Sequence, residues 1–143
     1  MNSPLVTGVL RVLLTAWAGA TWAVVAWIAP AVFSVVAPEA GRGLAGEMAG
    51  HLFRGLAFGG LAAGVVIGAL WYRARALDRR SLWVLLVAMA APLISENFLR
   101  PLLEAARAGG QPDASFALLH AASAALYVLA SAALGWLVVR RGR

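Results

Sequence analysis

The apolar residues of this chain form four long runs, and most of the charged residues lie between or beside them. The runs cover approximately residues 12–36, 55–72, 82–103 and 116–139. An α-helix rises about 1.5 Å per residue and needs roughly 20 apolar residues to cross about 30 Å of hydrocarbon. The pattern therefore predicts four membrane-spanning helices.

The composition supports a lipid environment. Hydrophobic residues make up 62% of the 143 residues and charged residues only 13%, whereas a soluble globular domain carries about 25% charged residues. The first run is longer than the roughly 7 to 15 apolar residues of a secretory signal, so we expect it to be retained as a helix. The chain has no cysteine, which excludes disulfides and thiolate metal sites.

The arginines indicate how the protein is oriented in the membrane. One set lies at the chain ends and between the second and third runs, beside the single acid Asp78: Arg11, Arg73, Arg75, Arg79, Arg80, Arg140, Arg141 and Arg143. The other connections hold fewer arginines and most acids: Arg42, Arg54, Arg100 and Arg107 with Glu39, Glu47, Glu96, Glu104 and Asp113. Because short arginine-rich segments stay in the cytoplasm, we expect both termini there. The net charge of +6 is then a topology signal, and no nucleic-acid partner is expected.

Short connections between the runs predict antiparallel neighbours. We expect an all-α fold, namely an integral membrane four-helix bundle of up-down-up-down topology forming a single domain over residues 1–143. The outer connections, residues 38–54 and 104–114, are predicted to be loops. The expected environment is the lipid bilayer of a bacterial inner membrane, which the chain crosses several times.

A glycine repeat in the second run predicts close helix packing. Gly60, Gly64 and Gly68 recur at every fourth position and lie on one helical face, a pattern resembling a glycine zipper. Small residues at this spacing let two helices approach closely in lipid. The contacted helix can belong to the same bundle, or to another molecule in a homo-oligomer or membrane complex.

Polar side chains gather at the outer ends of three predicted helices, and we name this group the outer polar cluster: Glu47, Arg54, Ser95, Glu96, Asn97, Arg100 and Ser123. A charge near the bilayer centre costs about 2.5 to 3.5 kcal/mol, so these residues need partners. Glu96 and Arg100 are four residues apart on one helical face and can pair, as can Glu47 and His51. The cluster either fastens the helix ends together or forms the functional site.

Two histidines raise the alternative of a haem- or copper-binding protein. His51 and His120 are both predicted near the outer ends of helices, and Met48 lies one turn before His51 as a soft copper donor. A further alternative is a small-solute or resistance transporter that uses Glu96, Arg100 and His120, and it would act as an oligomer because four helices are few for a carrier. No phosphate-binding glycine loop, nucleophile elbow or histidine pair recommends an enzyme.

Several short motifs resemble one known family: Ala29-Pro30-Ala31-Val32-Phe33, Ala45-Gly46, Leu52-Phe53, Asn97, Leu99-Arg100-Pro101, Phe116, Leu119-His120 and Ser123. They are similar to the transmembrane protein 205-like proteins, small four-helix membrane proteins of bacteria and animals. Tyr127 stands where that family's pattern suggests asparagine, and Arg54 where it suggests proline. The resemblance implies a four-helix architecture, and a looser likeness to copper-resistance membrane domains implies metal handling.

The sequence therefore predicts a membrane protein of unassigned activity, most simply a structural or accessory membrane component. No cofactor is expected on the main interpretation, and haem or copper belongs to the alternative.

Overall fold

The computed structural model describes residues 4–75, 78–108 and 114–142, and in these ranges the chain is helical with short turns and no β-strand. The predicted all-α fold is thus confirmed for the described residues. The α-helices are α1 Pro4–Ala23, α2 Ala29–Arg73, α3 Arg79–Ile94, α4 Arg100–Ala108 and α5 Ala114–Gly142. A π-helical turn, Val24–Ile28, joins α1 to α2, and a second one, Ser95–Leu99, joins α3 to α4.

Among the described residues, three helical stretches are long and apolar enough to cross a membrane, by length and composition: Pro4–Arg73, Arg79–Arg107 and Ala114–Arg140. The first stretch contains two of the predicted apolar runs. Its backbone leaves the helical conformation at Gly41, where φ is 87° and ψ is 155°. Residues with a Cβ rarely adopt this conformation, whereas glycine does so at little cost. Gly41 therefore divides α2 into two helical parts.

The predicted outer loop over residues 38–54 is wrong, because these residues are helical apart from Gly41. Ala45 and Ala49 are buried, at 0% and 4% exposure, and they lie one turn apart on a face that packs against the rest of the protein. An apolar run marks the part of a helix that lipid covers. It does not mark helical residues that bury only a few small side chains against the rest of the protein, as Ala45 and Ala49 do.

The second predicted outer loop is also partly helical, since α4 continues to Ala108. Residues 109–113, including Asp113, lie outside the described part of the chain, as do Arg143 and the side chain of Arg141.

Each π-helical turn comes just before a proline. The Ala29 N–H bonds to the Val24 carbonyl ahead of Pro30, and the Arg100 N–H bonds to the Ser95 carbonyl ahead of Pro101. A proline ring crowds the carbonyl four residues earlier and offers no N–H, and a wider turn accommodates both effects. The extra residue in the turn changes which side chains face the bundle.

The large apolar side chains with 2% exposure or less come from four of the helices: Leu14, Ile67, Trp71, Leu85, Leu134 and Leu137. They pack together between the middle of the protein and the end that carries the arginine-rich turn, which connects α2 to α3. We name this the inner end, and the opposite end, which carries Gly41, the outer end. Trp71, near the C-terminal end of α2, also belongs to this core with 2% exposure.

The glycine repeat of α2 contacts other helices of the same chain. A Cβ on Gly60 would lie 2.8 Å from Nε1 of Trp17, and one on Gly68 would lie 3.5 Å from a methyl group of Leu85. Gly64 faces the side chain of Met89. This face of α2 is therefore occupied by α1 and α3, which is the first of the two predicted arrangements.

Candidate functional site at the outer end

Glu96 is the centre of a hydrogen-bonded network at the outer end. It lies in the π-helical turn between α3 and α4, and its side chain is only 7% exposed. Nη1 of Arg100 lies 2.9 Å from Oε2 of Glu96. The pairing predicted from the four-residue spacing is therefore present, and it provides the buried carboxylate with an opposite charge.

Tyr127 of α5 reaches the other oxygen of the same carboxylate. Its hydroxyl lies 3.1 Å from Oε1 of Glu96 and 3.1 Å from the carbonyl of Phe53. The single phenol hydrogen can be donated to one of these acceptors at a time. The rings of Phe53 and Tyr127 also pack at 4.6 Å between centroids. Tyr127 thereby joins α5 to both α2 and the Glu96 turn.

Arg100 extends the network to α2 and α4. Its Nη1 donates to the Gly50 carbonyl at 2.7 Å, and its Nε donates to Oε1 of Glu104 at 2.9 Å. The guanidinium lies so close to Gly50 that an added Cβ there would be 2.8 Å from Cζ. Gly46, one turn earlier, lies similarly under Arg107, with 2.9 Å from an added Cβ to Nη1. Both glycines thus provide the space in which an arginine approaches the α2 backbone.

The other members of the outer polar cluster are divided between the interior and the surface. The hydroxyls of Ser95 and Ser123 are hydrogen-bonded at 2.6 Å and connect the π-helical turn to α5. Asn97 is exposed and donates to the Leu93 carbonyl in its own helix at 2.8 Å. Glu47 and Arg54 are exposed. Within the described ranges neither has a hydrogen bond or an ion pair, so the predicted pairing of Glu47 with His51 is not formed.

The two histidines have different surroundings. His120 borders a cleft and stacks on Phe116, with ring centroids 6.2 Å apart and planes 6° apart. His51 and Met48 are exposed on α2 and do not border this cleft. In the part of the chain that the structure describes, no three His, Cys, Asp or Glu side chains are grouped closely enough to hold a metal ion. The haem and copper hypothesis stays a prediction.

The cleft beside the network has a volume of about 450 Å³ and lies between α2, α4 and α5. Its wall includes the network residues Glu96 and Arg100 and the exposed side chains of Glu47, Arg107 and His120. The guanidinium of Arg107 also lies 5.6 Å from the centre of the Phe116 ring. The cleft thus presents both signs of charge beside apolar surface, which suits a small polar or zwitterionic molecule.

Sequence reasoning singled out Glu96, Arg100, Ser95, Ser123 and His120, and the structure places all of them at or beside the cleft. It missed Tyr127, the residue that joins α5 to Glu96. The available signal was a phenol within an otherwise apolar helix, since a buried hydroxyl usually has a hydrogen-bond partner.

Residues 12–112, more than half of the chain, match a family described as Domain of unknown function (DUF4149). The match includes Gly50, Phe53, Glu96 and Arg100, and it ends before the α5 residues Ser123 and Tyr127. No curated protein and no solved structure matches the chain.

Proposed function

Because the chain belongs to the DUF4149 family, whose description assigns no activity, we propose a role from the geometry: a structural or accessory protein of the bacterial inner membrane, without enzymatic activity. The network around Glu96 supports this role. It joins α2, α5 and the turn between α3 and α4 through hydrogen bonds of 2.7 to 3.1 Å.

The proposed topology has four crossings, with both termini in the cytoplasm. Support comes from the break at Gly41 and from the packing of Trp17 against Gly60, which places the residues before and after the break side by side. The arginines of the inner end support the orientation, because arginine-rich segments remain on the cytoplasmic side. The finer resemblance to the transmembrane protein 205-like family is consistent with this arrangement.

In this role the network fastens the outer ends of the helices. A carboxylate removed from water is costly unless it is paired and hydrogen-bonded, and both oxygens of Glu96 have partners within the protein. Such an arrangement stabilises one packing of the helices. It keeps both carboxylate oxygens of Glu96 bonded to neighbouring side chains. The protein would then act through its shape and its partners in a homo-oligomer or membrane complex.

The test compares Glu96→Gln with Glu104→Gln by thermal unfolding in mild detergent. Both carboxylates bond to Arg100 at 2.9 Å, but the side chain of Glu104 is 64% exposed and that of Glu96 is 7% exposed. Loss of the buried charge should cost about 2 kcal/mol, whereas loss of the exposed one should cost less than about 1 kcal/mol. Equal unfolding temperatures for the wild type and Glu96→Gln would show that the network does not stabilise the packing of the helix ends.

A second candidate function is the binding or transport of a small solute, and the outer cleft favours it. Glu47, Arg107 and His120 border the cleft outside the Glu96 network, so they are available to contact a polar molecule. For a transporter, Glu96→Gln should abolish transport while the unfolding temperature stays unchanged. The same variant therefore separates the two functions.

A further inference from the structure

A second hollow lies at the inner end of the protein, between α3 and α5. It has a volume of about 430 Å³, and its wall includes apolar and aromatic side chains and one arginine: Trp83, Val87, Leu129, Ala133, Trp136 and Arg80. Trp83 is 60% exposed and Leu129 is 50% exposed, so the hollow is a groove on the protein surface. From Arg80 to Val87 it extends about 10 Å along α3, at about 1.5 Å per residue.

The groove has an apolar part and a charged end. Arg80 lies in the first turn of α3, whereas Val87 and Leu129 lie deeper in the membrane-spanning stretches. Tryptophan rings are enriched where hydrocarbon meets head groups, and Trp83 and Trp136 flank the groove near its charged end. A molecule that fills this groove needs an apolar body and a head that tolerates an arginine.

Two of the other charged residues near this end, Asp78 and Arg140, are paired with each other. Asp78 caps α3 by accepting from the backbone N–H and the hydroxyl of Ser81, at 2.9 and 2.8 Å. Arg140 lies 3.4 Å from Asp78 and covers the ring of Trp136 at 4.8 Å. For Arg80, by contrast, the described ranges contain no hydrogen bond or ion pair. Among the described residues, the positive charge of Arg80 at the mouth of the groove is therefore unpaired.

We propose that this groove binds an anionic phospholipid, with one acyl chain along Val87 and Leu129 and the head-group phosphate at Arg80. Basic sites between membrane helices on the cytoplasmic side suit anionic head groups, and a guanidinium bonds well to phosphate oxygens. The proposal takes from the proposed topology only that the inner end faces the cytoplasmic leaflet. The outer-end network is not part of it.

The experiment measures lipid binding to the full-length protein, purified in mild detergent and freed of native lipid. Phosphatidylglycerol and phosphatidylcholine with identical acyl chains are titrated separately, and bound lipid is counted by native mass spectrometry. We expect tighter binding of phosphatidylglycerol. Arg80→Gln should weaken it about fivefold, the factor that corresponds to about 1 kcal/mol per basic residue near an anionic lipid, and should leave phosphatidylcholine binding unchanged.

Arg79→Gln is the matched control, since Arg79 is the adjacent exposed arginine and does not border the groove. It should reduce phosphatidylglycerol binding by less than twofold. Ala133→Leu narrows the groove without a change of charge, and it should weaken the binding of both lipids. All variants are compared at equal unfolding temperature, so that loss of folding is not counted as loss of binding.

Equal affinity of the wild type for the two lipids would overturn the proposal. An equal loss of phosphatidylglycerol binding in Arg79→Gln and Arg80→Gln would overturn it too. The attraction would then come from the arginines of the inner end in general and not from the groove. If the lipid preference is found but the inner end is labelled from outside the cell, the groove is a lipid site and the proposed orientation is wrong.

Discussion

Glu96 has partners on both of its carboxylate oxygens, Arg100 on one and Tyr127 on the other. The sequence predicts the pairing of Glu96 with Arg100 but not its contact with Tyr127. Arg100 is four residues away on the same helix, so helical geometry alone brings it into reach. Tyr127 lies 31 residues further along the chain on another helix, and only the packing of α5 places its hydroxyl there.

Tyr127→Phe tests the contribution of this hydroxyl to stability. Removal of the hydroxyl leaves Oε1 of Glu96 and the Phe53 carbonyl without this donor, and the ring packing is kept. The loss should destabilise the protein by about 1 kcal/mol, measured as a lower unfolding temperature in detergent. Tyr72→Phe is the matched control, because Tyr72 is 76% exposed and should tolerate the change. Equal unfolding temperatures for the two variants would contradict a structural role of the Tyr127 hydroxyl.

The glycines near Glu96 also have individual roles. Gly46 and Gly50 belong to a small-residue pattern that is visible in the sequence, but their neighbours are the guanidinium groups of Arg107 and Arg100. Small residues usually indicate helix packing on helix. Here they make room for charged side chains, a role that depends on where α4 lies relative to α2.

At the scale of single elements, α2 shows what an apolar pattern does and does not indicate. Its apolar run from residue 55 onward predicts the membrane-spanning part. Its continuation over residues 42–54 depends on Ala45 and Ala49, which are buried one turn apart. Two alanines are a weak signal in an alanine-rich chain, and their burial becomes evident only when the packed neighbours are known.

The two π-helical turns illustrate the same limit. Pro30 and Pro101 are visible in the sequence and predict a disturbance in the preceding turn. Whether the helix kinks, ends or widens depends on the packing on either side. The chain widens at both places, and the second widening contains Glu96.

Two adjacent glycines of α2, Gly59 and Gly60, should respond differently to substitution by alanine. Gly60→Ala would bring a methyl group to 2.8 Å from Nε1 and 3.1 Å from two ring carbons of Trp17, a buried side chain with little room to move. The clash should cost about 1 to 3 kcal/mol. Gly59→Ala meets no atom within 4 Å and should be neutral or slightly stabilising, since alanine favours helix. Thermal unfolding of the two variants checks this, and the opposite order would show that α1 does not pack on Gly60.

At the scale of the whole molecule, the inner end carries most of the arginines and the outer end most of the acids. The inner groove and the outer cleft lie at these opposite ends. The apolar core from Leu14 to Leu137 lies nearer the inner end. The outer end contains the buried polar network around Glu96, so the two ends should respond differently to substitution.

The chain has no cysteine, so a single introduced cysteine can report which side of the membrane a residue faces. Single cysteines are introduced as Ala40→Cys, beside the Gly41 break, and Ala74→Cys, in the turn after α2. In intact cells a membrane-impermeant maleimide should label residue 40, and residue 74 only after permeabilisation. Labelling of residue 74 and not of residue 40 in intact cells would show that the orientation is the reverse of the proposed one. No labelling of residue 40 on either side would indicate that Pro4–Arg73 crosses the membrane once.

From the sequence alone it follows that the chain is helical, that its helices are long and apolar enough to span a membrane, and that Glu96 can pair with Arg100. These features depend on length, hydropathy and spacing within one helix, which are local properties. Only the folded protein shows that Gly60 faces Trp17, that Tyr127 completes the Glu96 network and that Arg80 lies at the mouth of a groove. Each of these depends on the rotation and contact of helices that are distant in sequence, and helices that are apolar on all sides carry little information about their rotation.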